Sequence, residues 1–211
     1  MAGAQDLLDA IHDLWRRGFC PATSGNFSAR IDDERIWITA SGRDKGKIRA
    51  SDLLAYDLGT QEIRGTAGAA RTGKPSAETL LHTVLYEERP EIGAVLHVHS
   101  LPATVLTKAL TEQSTLVLTD YELLKALDGI TTHEQRVGLP IFENTQDIAE
   151  LAEITRGLLR DGLLDHGYLL RGHGMYVWGH TLEDALRHLE ALDFVLRCEL
   201  EMLAVPWRPR R

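Results

Sequence analysis

The segment Ala94-Val95-Leu96-His97-Val98-His99-Ser100 constrains the chain most. It is a short apolar run containing β-branched residues. Gly93 closes it off on one side and Ser100–Pro102 on the other, which predicts a buried strand running into a turn. Side chains alternate along a strand, so Ala94, Leu96 and Val98 face one way and Val95, His97 and His99 the other. Two imidazoles about 7 Å apart on one face, at a strand end, can grip one cation from the same side.

A lone histidine in a core strand is ordinarily a hydrogen-bonded packing residue. The His-x-His pair shifts that balance, and a second motif shifts it further. Arg171-Gly172-His173-Gly174 lies between two apolar strands, Tyr168–Leu170 and Met175–Trp178. A histidine between two glycines at a tight turn is poorly suited to packing and well placed to project into a site. Three neutral imidazoles with an open fourth position form a catalytic zinc centre, although imidazole ligation by itself also suits Fe, Ni, Co or Mn. His97, His99 and His173 are therefore the candidate ligands. His12, His82, His180 and His188 have no metal spacing; His12 is expected at the surface, and His82, in mid-helix, in packing or at the surface.

The remaining chain supplies the frame. Gln5–Arg17 reads as an amphipathic helix with Leu7, Ile11, Leu14 and Trp15 on one face, stopped by Gly18. Residues 22–31 run into a strand, and Asp32–Glu34 turns it back into Arg35–Thr39. Two small, hydroxyl-rich glycine segments, Ala22–Ser28 and Ala40–Gly46, thus leave neighbouring strands at the same sheet end. Their backbone amides and hydroxyls suit phosphate oxygens. Residues 51–60 lead into a second strand pair, and residues 67–73 read as a mobile loop. Ser76 is expected to cap a helix with Leu80, Leu81, Val84 and Leu85 on its apolar side, placing Glu78 in its first turn. Ser100 caps a helix to about Leu110. Thr115–Leu118 is a strand, and Thr119–Leu127 reads as strand end, cap and helix. Leu139–Phe142 is a strand, and Thr145 caps a helix bearing Ile148, Leu151, Ala152, Ile154 and Leu158. Thr181 opens a long helix carrying Ala185, Leu189, Leu192, Leu196 and Leu203, and the tail 206–211 is basic and proline-rich. Strands interleaved with helices in this order predict an α/β domain with a partly antiparallel central sheet.

With 211 residues, 44% of them hydrophobic and 26% charged, the chain suffices for a single domain over residues 1–211 with a full core. A formal net charge of -8 argues against general nucleic-acid binding. It leaves room for an anionic substrate, because local basic groups and backbone amides bind phosphate whatever the total charge. Cys20 and Cys198 form no CxxC pair, which suits a reducing cytoplasm. No apolar run is long enough to span a bilayer and the N-terminal residues lack a signal-peptide pattern, so no membrane partner is expected.

Ser24-Gly25-Asn26-Phe27-Ser28, Thr39-Ala40-Ser41-Gly42, Pro75-Ser76-Ala77-Glu78, His97-Val98-His99 and Arg171-Gly172-His173-Gly174, in this order, resemble the motifs of the class II aldolase/adducin family. The resemblance runs from roughly Leu7 to Leu203. It implies a central mixed, partly antiparallel sheet flanked by helices on both faces, and one zinc ion per subunit on His97, His99 and His173. It also implies a homotetramer with sites at subunit interfaces. Asn26, Ser41, Gly42 and Ser76, with Gly25 beside them, match positions that hold the substrate phosphate, and Glu78 matches the acid/base carboxylate of the sugar-phosphate aldolases. The stretch Leu118–Lys125 and the close of the chain look most like the branch that removes water from a methylthio-substituted ketose phosphate. There Glu122 matches the proposed acid/base. The family implies two alternatives, aldol cleavage of a fuculose or rhamnulose 1-phosphate and 4-epimerisation of a pentulose phosphate. A non-enzymatic adducin-like scaffold is expected to lack the metal histidines, all three of which this chain keeps.

Overall fold

Alternating apolar runs and amphipathic stretches resolve, in a computed structural model describing residues 2–64 and 73–204, into nine strands and five α-helices. The strands are β1 (Asn26–Arg30), β2 (Arg35–Thr39), β3 (Leu53–Asp57), β4 (Ile63–Arg64), β5 (Ala94–Val98), β6 (Thr115–Leu118), β7 (Val137–Phe142), β8 (Gly167–Leu170) and β9 (Gly174–Gly179). The helices are α1 (Ala4–Arg16), α2 (Thr79–Glu88), α3 (Leu101–Ala109), α4 (Ile148–Arg160) and α5 (Leu182–Ala204). One sheet runs in the order β4-β3-β2-β1-β5-β9-β8-β7-β6. Only the β7–β8 pair is parallel. The mixed sheet expected from the sequence is therefore present, with the histidine strand β5 in the middle.

Helices cover both faces. Ala94, Leu96 and Val98 of β5 pack with Leu7, Ile11 and Leu14 of α1, Leu106 of α3 and Leu189, Leu192 and Leu196 of α5. Val95 joins the opposite core with Leu81, Val84 and Leu85 of α2 and Leu151 and Leu159 of α4. His97 shares that face, stacked on Tyr176 with ring centroids 4.3 Å apart. A strand buried on both sides reads as continuous hydrophobicity, as β5 does.

Several local expectations shift. Trp15 is 43% exposed, its indole lying over Gly46 instead of in the core stripe. His12 is half-buried, with Nε2 3.1 Å from the Ile48 carbonyl. Helix α2 begins at Thr79, because the Ser76 hydroxyl accepts from the Glu78 N–H and the Ser76 carbonyl from the Thr79 N–H, closing a turn before the helix. Glu78 thereby occupies the N-cap position with its carboxylate unused for capping. Asp147 caps α4 by accepting from the Glu150 N–H, while the Thr145 hydroxyl accepts from the Asp147 N–H. Ile154 and Leu203 are exposed. Residues 119–127 contain only a 3₁₀ helix, Glu122–Ala126, because Leu124 and Leu127 are its core anchors and a left-handed Asp120 precedes it. The readings for residues 67–72 and 206–211 fall outside the described residues. Among those described, no helix is long and apolar enough to cross a membrane.

Candidate metal centre

The two histidine motifs meet because β5 pairs with β9, with Val98 opposite Met175. His99 follows β5 directly and its N–H donates to the Phe19 carbonyl. The β8–β9 turn is held from outside: Arg171 donates to the carbonyls of Thr107, Leu110 and Gln113 beyond and at the end of α3, and the Gly172 N–H to the Thr107 hydroxyl. Gly172 is left-handed, with φ +67. Gly174 is there for space, since a Cβ on it would sit 2.1 Å from the Val98 carbonyl oxygen. Backbone cannot yield as a side-chain tip can. Gly174→Ala is therefore expected to cost about 3 kcal/mol or more, lowering Tm by about 6–12 °C in a chain of this size. An unchanged calorimetric Tm would contradict the close approach.

The candidate ligand nitrogens of His97, His99 and His173 lie within 4.8 Å of one another. His97 is fully buried. Its Nδ1 is 3.1 Å from the Met175 carbonyl, so Nδ1 carries the proton and the Nε2 lone pair points inward. That Nε2 has no protein partner. His173 Nδ1 lies 3.3 Å from Asn144 Oδ1, and its Nε2 lies 3.0 Å from His99 Nε2. Burial, then mutual repulsion with His173, holds His97 well below the ordinary imidazole value and His99 at about 4. This favours neutral rings at His97 and His99, whose nitrogens converge with that of His173 into the donor set a divalent cation needs. A buried ring nitrogen without a partner costs free energy unless a ligand meets it.

Beside the imidazoles stands Glu78. Its Oε2 is 3.9 Å from His97 Nε2 and its Oε1 3.8 Å from His173 Nε2. Behind it, two periodicities lock together. Glu78, His82 and Tyr86 are four residues apart along α2 and its cap; Asn26, Ser28 and Arg30 are two apart along β1. Four helical residues rise about 6 Å and two strand residues about 6.6 Å, so the rows stay in step. Asn26 Nδ2 donates to Glu78 Oε2 at 2.5 Å, because a carboxylate can only accept. Asn26 Oδ1 then accepts from His82 Nε2 at 2.5 Å, leaving His82 Nδ1 to accept from the Ser28 hydroxyl at 2.7 Å. Tyr86 donates to Ser28 at 2.9 Å, and the Arg30 guanidinium lies over the Tyr86 ring.

Burial holds fully buried His82 down at about 3. The folded-state value lies below the unfolded value, so the unfolded chain binds more protons between about pH 6.5 and 3. Stability complete above pH 6.5 should fall toward pH 3 by about 1.4 kcal/mol per pH unit for this group, with His97 and His99 acting in the same direction in metal-free protein. Urea melts at pH 7, 5.5 and 4.5 test this, and a flat profile would contradict the neutral buried ring.

A cavity of about 340 Å³ adjoins the cluster. Gly25, Asn26, Ser41, Gly42 and Ser76 all line it, together with Ser24, Lys45, Glu78, His99 and His173. The structure therefore brings these sequence-derived candidates to one place. It does not bring Glu122 there: that side chain is 73% exposed on the 3₁₀ helix after the edge strand β6, paired with Lys125 and 3.8 Å from His133. Sequence reasoning missed the placement of His82 and Lys45. The 78/82/86 spacing is the available signal for the first; Lys45 lies inside the glycine segment Ala40–Gly46.

Residues 5–200 match the family described as Class II Aldolase and Adducin N-terminal domain. The methylthioribulose-1-phosphate dehydratase of Hahella chejuensis is 50% identical over 202 residues, covering 96% of this chain and 94% of that protein. The one from Marinobacter nauticus is 48% identical with the same coverage. Among solved structures, YgbL from Escherichia coli superposes with a TM-score of 0.79 over 99% of this chain and 91% of that one; at 21% identity this is a likeness of fold.

Proposed function

This chain belongs to the class II aldolase and adducin family, and we propose that within it the protein removes water from 5-methylthioribulose 1-phosphate. The product is a 2,3-diketo-5-methylthiopentyl 1-phosphate, a step of methionine salvage. Curated relatives of that activity about half identical over nearly the whole chain support the substrate. The observation that carries the chemistry is the buried His97 Nε2, without a protein partner and facing two further imidazoles.

His97, His99 and His173 would hold one zinc ion. Zinc supplies Lewis-acid stabilisation of the negative charge that develops on the substrate's C2 oxygen as the C3 proton leaves. Glu78, oriented by Asn26, takes that C3 proton. The C4 hydroxyl must then depart as water, which requires a proton donor. Glu122 supplies it from a neighbouring copy in a homotetramer once docking parts it from Lys125, whose hydrogen bond holds the carboxyl below its ordinary value in the single chain; its match to the dehydratase branch and its exposure away from its own cluster support this role. The resulting enol takes a proton at C4 from Glu78 while its C3 hydroxyl gives one back to Glu122 and becomes the second ketone, so both carboxyls are reset and the net change is loss of one water. Each acid/base step is worth about 10²–10⁴-fold. The phosphate in the adjoining cavity supplies remote binding energy that orients C3 and C4. The enzyme would work in the cytoplasm, where the unpaired Cys20 and Cys198 stay reduced.

The test is incubation of the zinc-loaded protein with 5-methylthioribulose 1-phosphate, followed by mass spectrometry. Loss of one water from an intact carbon chain is expected. Two carbon fragments, or unchanged substrate, would overturn the reading.

A further inference from the structure

Lys45 is only 1% exposed. Its ammonium donates to the carbonyls of Thr23 at 2.9 Å and Arg43 at 3.0 Å. Among the described residues it forms no ion pair, and residues 1, 65–72 and 205–211 contain no Asp or Glu. A lysine is almost never fully buried without an anion. Two carbonyls leave one of its three N–H donors unmet. Ser24, which lines the same cavity, has a buried hydroxyl with no partner at all. Asn26, meanwhile, spends Oδ1 on His82 and one Nδ2 hydrogen on Glu78, which fixes its amide plane and leaves one N–H. The cavity wall therefore holds a buried ammonium with one donor unmet and a buried hydroxyl without a partner, beside an amide already held by Glu78 and His82.

We propose that Lys45 is the charged anchor of the substrate phosphate, with the Ser24 hydroxyl beside it. The inference rests on the sugar-phosphate reading of this cavity. The phosphate supplies the counter-anion that the folded chain withholds from Lys45, and desolvation makes that pairing stronger than at the surface. His99 and His173 stand on the same cavity wall. Seating the phosphate there brings the sugar carbons to the metal ligands and Glu78.

Inorganic phosphate is the probe, added to the zinc-loaded protein. In the wild type, the Lys45 ammonium resonance in a ¹H–¹⁵N spectrum should shift saturably with phosphate. Lys45→Gln and Lys45→Met should weaken phosphate binding about 10- to 100-fold, the loss of one charge-assisted contact, and raise KM more than they lower kcat. Lys47→Gln, at an exposed neighbour, should change neither. If the Lys45 variants do not fold, the wild-type spectrum decides alone. A Lys45 resonance indifferent to phosphate, or folded Lys45 variants with wild-type phosphate affinity, would overturn the proposal. An enzyme that dehydrates its substrate while Lys45 ignores phosphate overturns this inference and spares the dehydratase reading. A protein that binds phosphate through Lys45 but leaves methylthioribulose 1-phosphate unchanged supports the anchor and overturns that activity.

Discussion

Replacing His97 with alanine is expected to drop bound metal from one ion per chain to near zero and turnover by about 10⁴-fold or more, because the several kcal/mol of charge stabilisation at the C2 oxygen goes with the ion. The same change removes a fully buried ring stacked on Tyr176 and leaves the Met175 carbonyl without its donor. The cavity and the orphaned acceptor together should cost about 3 kcal/mol. His99→Ala, at a half-buried position after β5, should lose the metal equally but less of the fold. Chelator separates the two contributions. Wild-type Tm should fall when the ion is removed, since a ligand that binds only the folded state stabilises it by mass action. The Tm of His97→Ala should ignore chelator. Metal analysis and calorimetry read both, and a His97→Ala protein with normal metal content and normal turnover would remove the basis for the centre.

Glu78→Gln and Glu122→Gln should each lower kcat by about 10²–10⁴-fold with bound metal retained, for different structural reasons. Glutamine at 78 keeps the shape beside His97 and His173 but cannot take a proton. At 122 the fold should scarcely notice, since that carboxylate's partners are the surface groups Lys125 and His133 and exposed pairs contribute little. An unchanged Tm with a collapsed kcat is therefore the signature expected of Glu122→Gln. Mixing adds a sharper readout. Subunits carrying His173→Ala still present an intact Glu122, and subunits carrying Glu122→Gln still present an intact metal centre. Refolded together they should recover activity that neither has alone, if Glu122 serves a neighbour's site. Absence of recovery in demonstrated hybrids would remove Glu122 from the reaction across an interface.

Much of the centre is legible in the sequence. His97 and His99 share a face because strand side chains alternate, and His173 projects because glycines flank it. Both facts are local. The Ser76–Glu78 stretch was less legible: Ser76 reads as a helix cap, yet its hydroxyl closes a preceding turn, which frees Glu78 to face the imidazoles. Glu122 shows the limit from the other side, since a matched motif puts the glutamate on a short 3₁₀ helix at the sheet edge, away from its own chain's histidines.

The sequence by itself determined the α/β layering, the central strand and the identity of the three imidazoles, because period-two alternation and glycine turns are properties of a few consecutive residues. Only the tertiary structure decided which polar groups lose water. Asn26 meets Glu78 and His82 across 52 and 56 residues, and Lys45 meets Thr23 across 22. The Asn26 meetings exist because four residues of a helix and two of a strand advance by nearly equal distances where the two are pressed together over one face of the sheet, whereas Lys45 and Thr23 meet between two loops. Dehydration of the groups between them belongs to the assembled layers and to no segment alone.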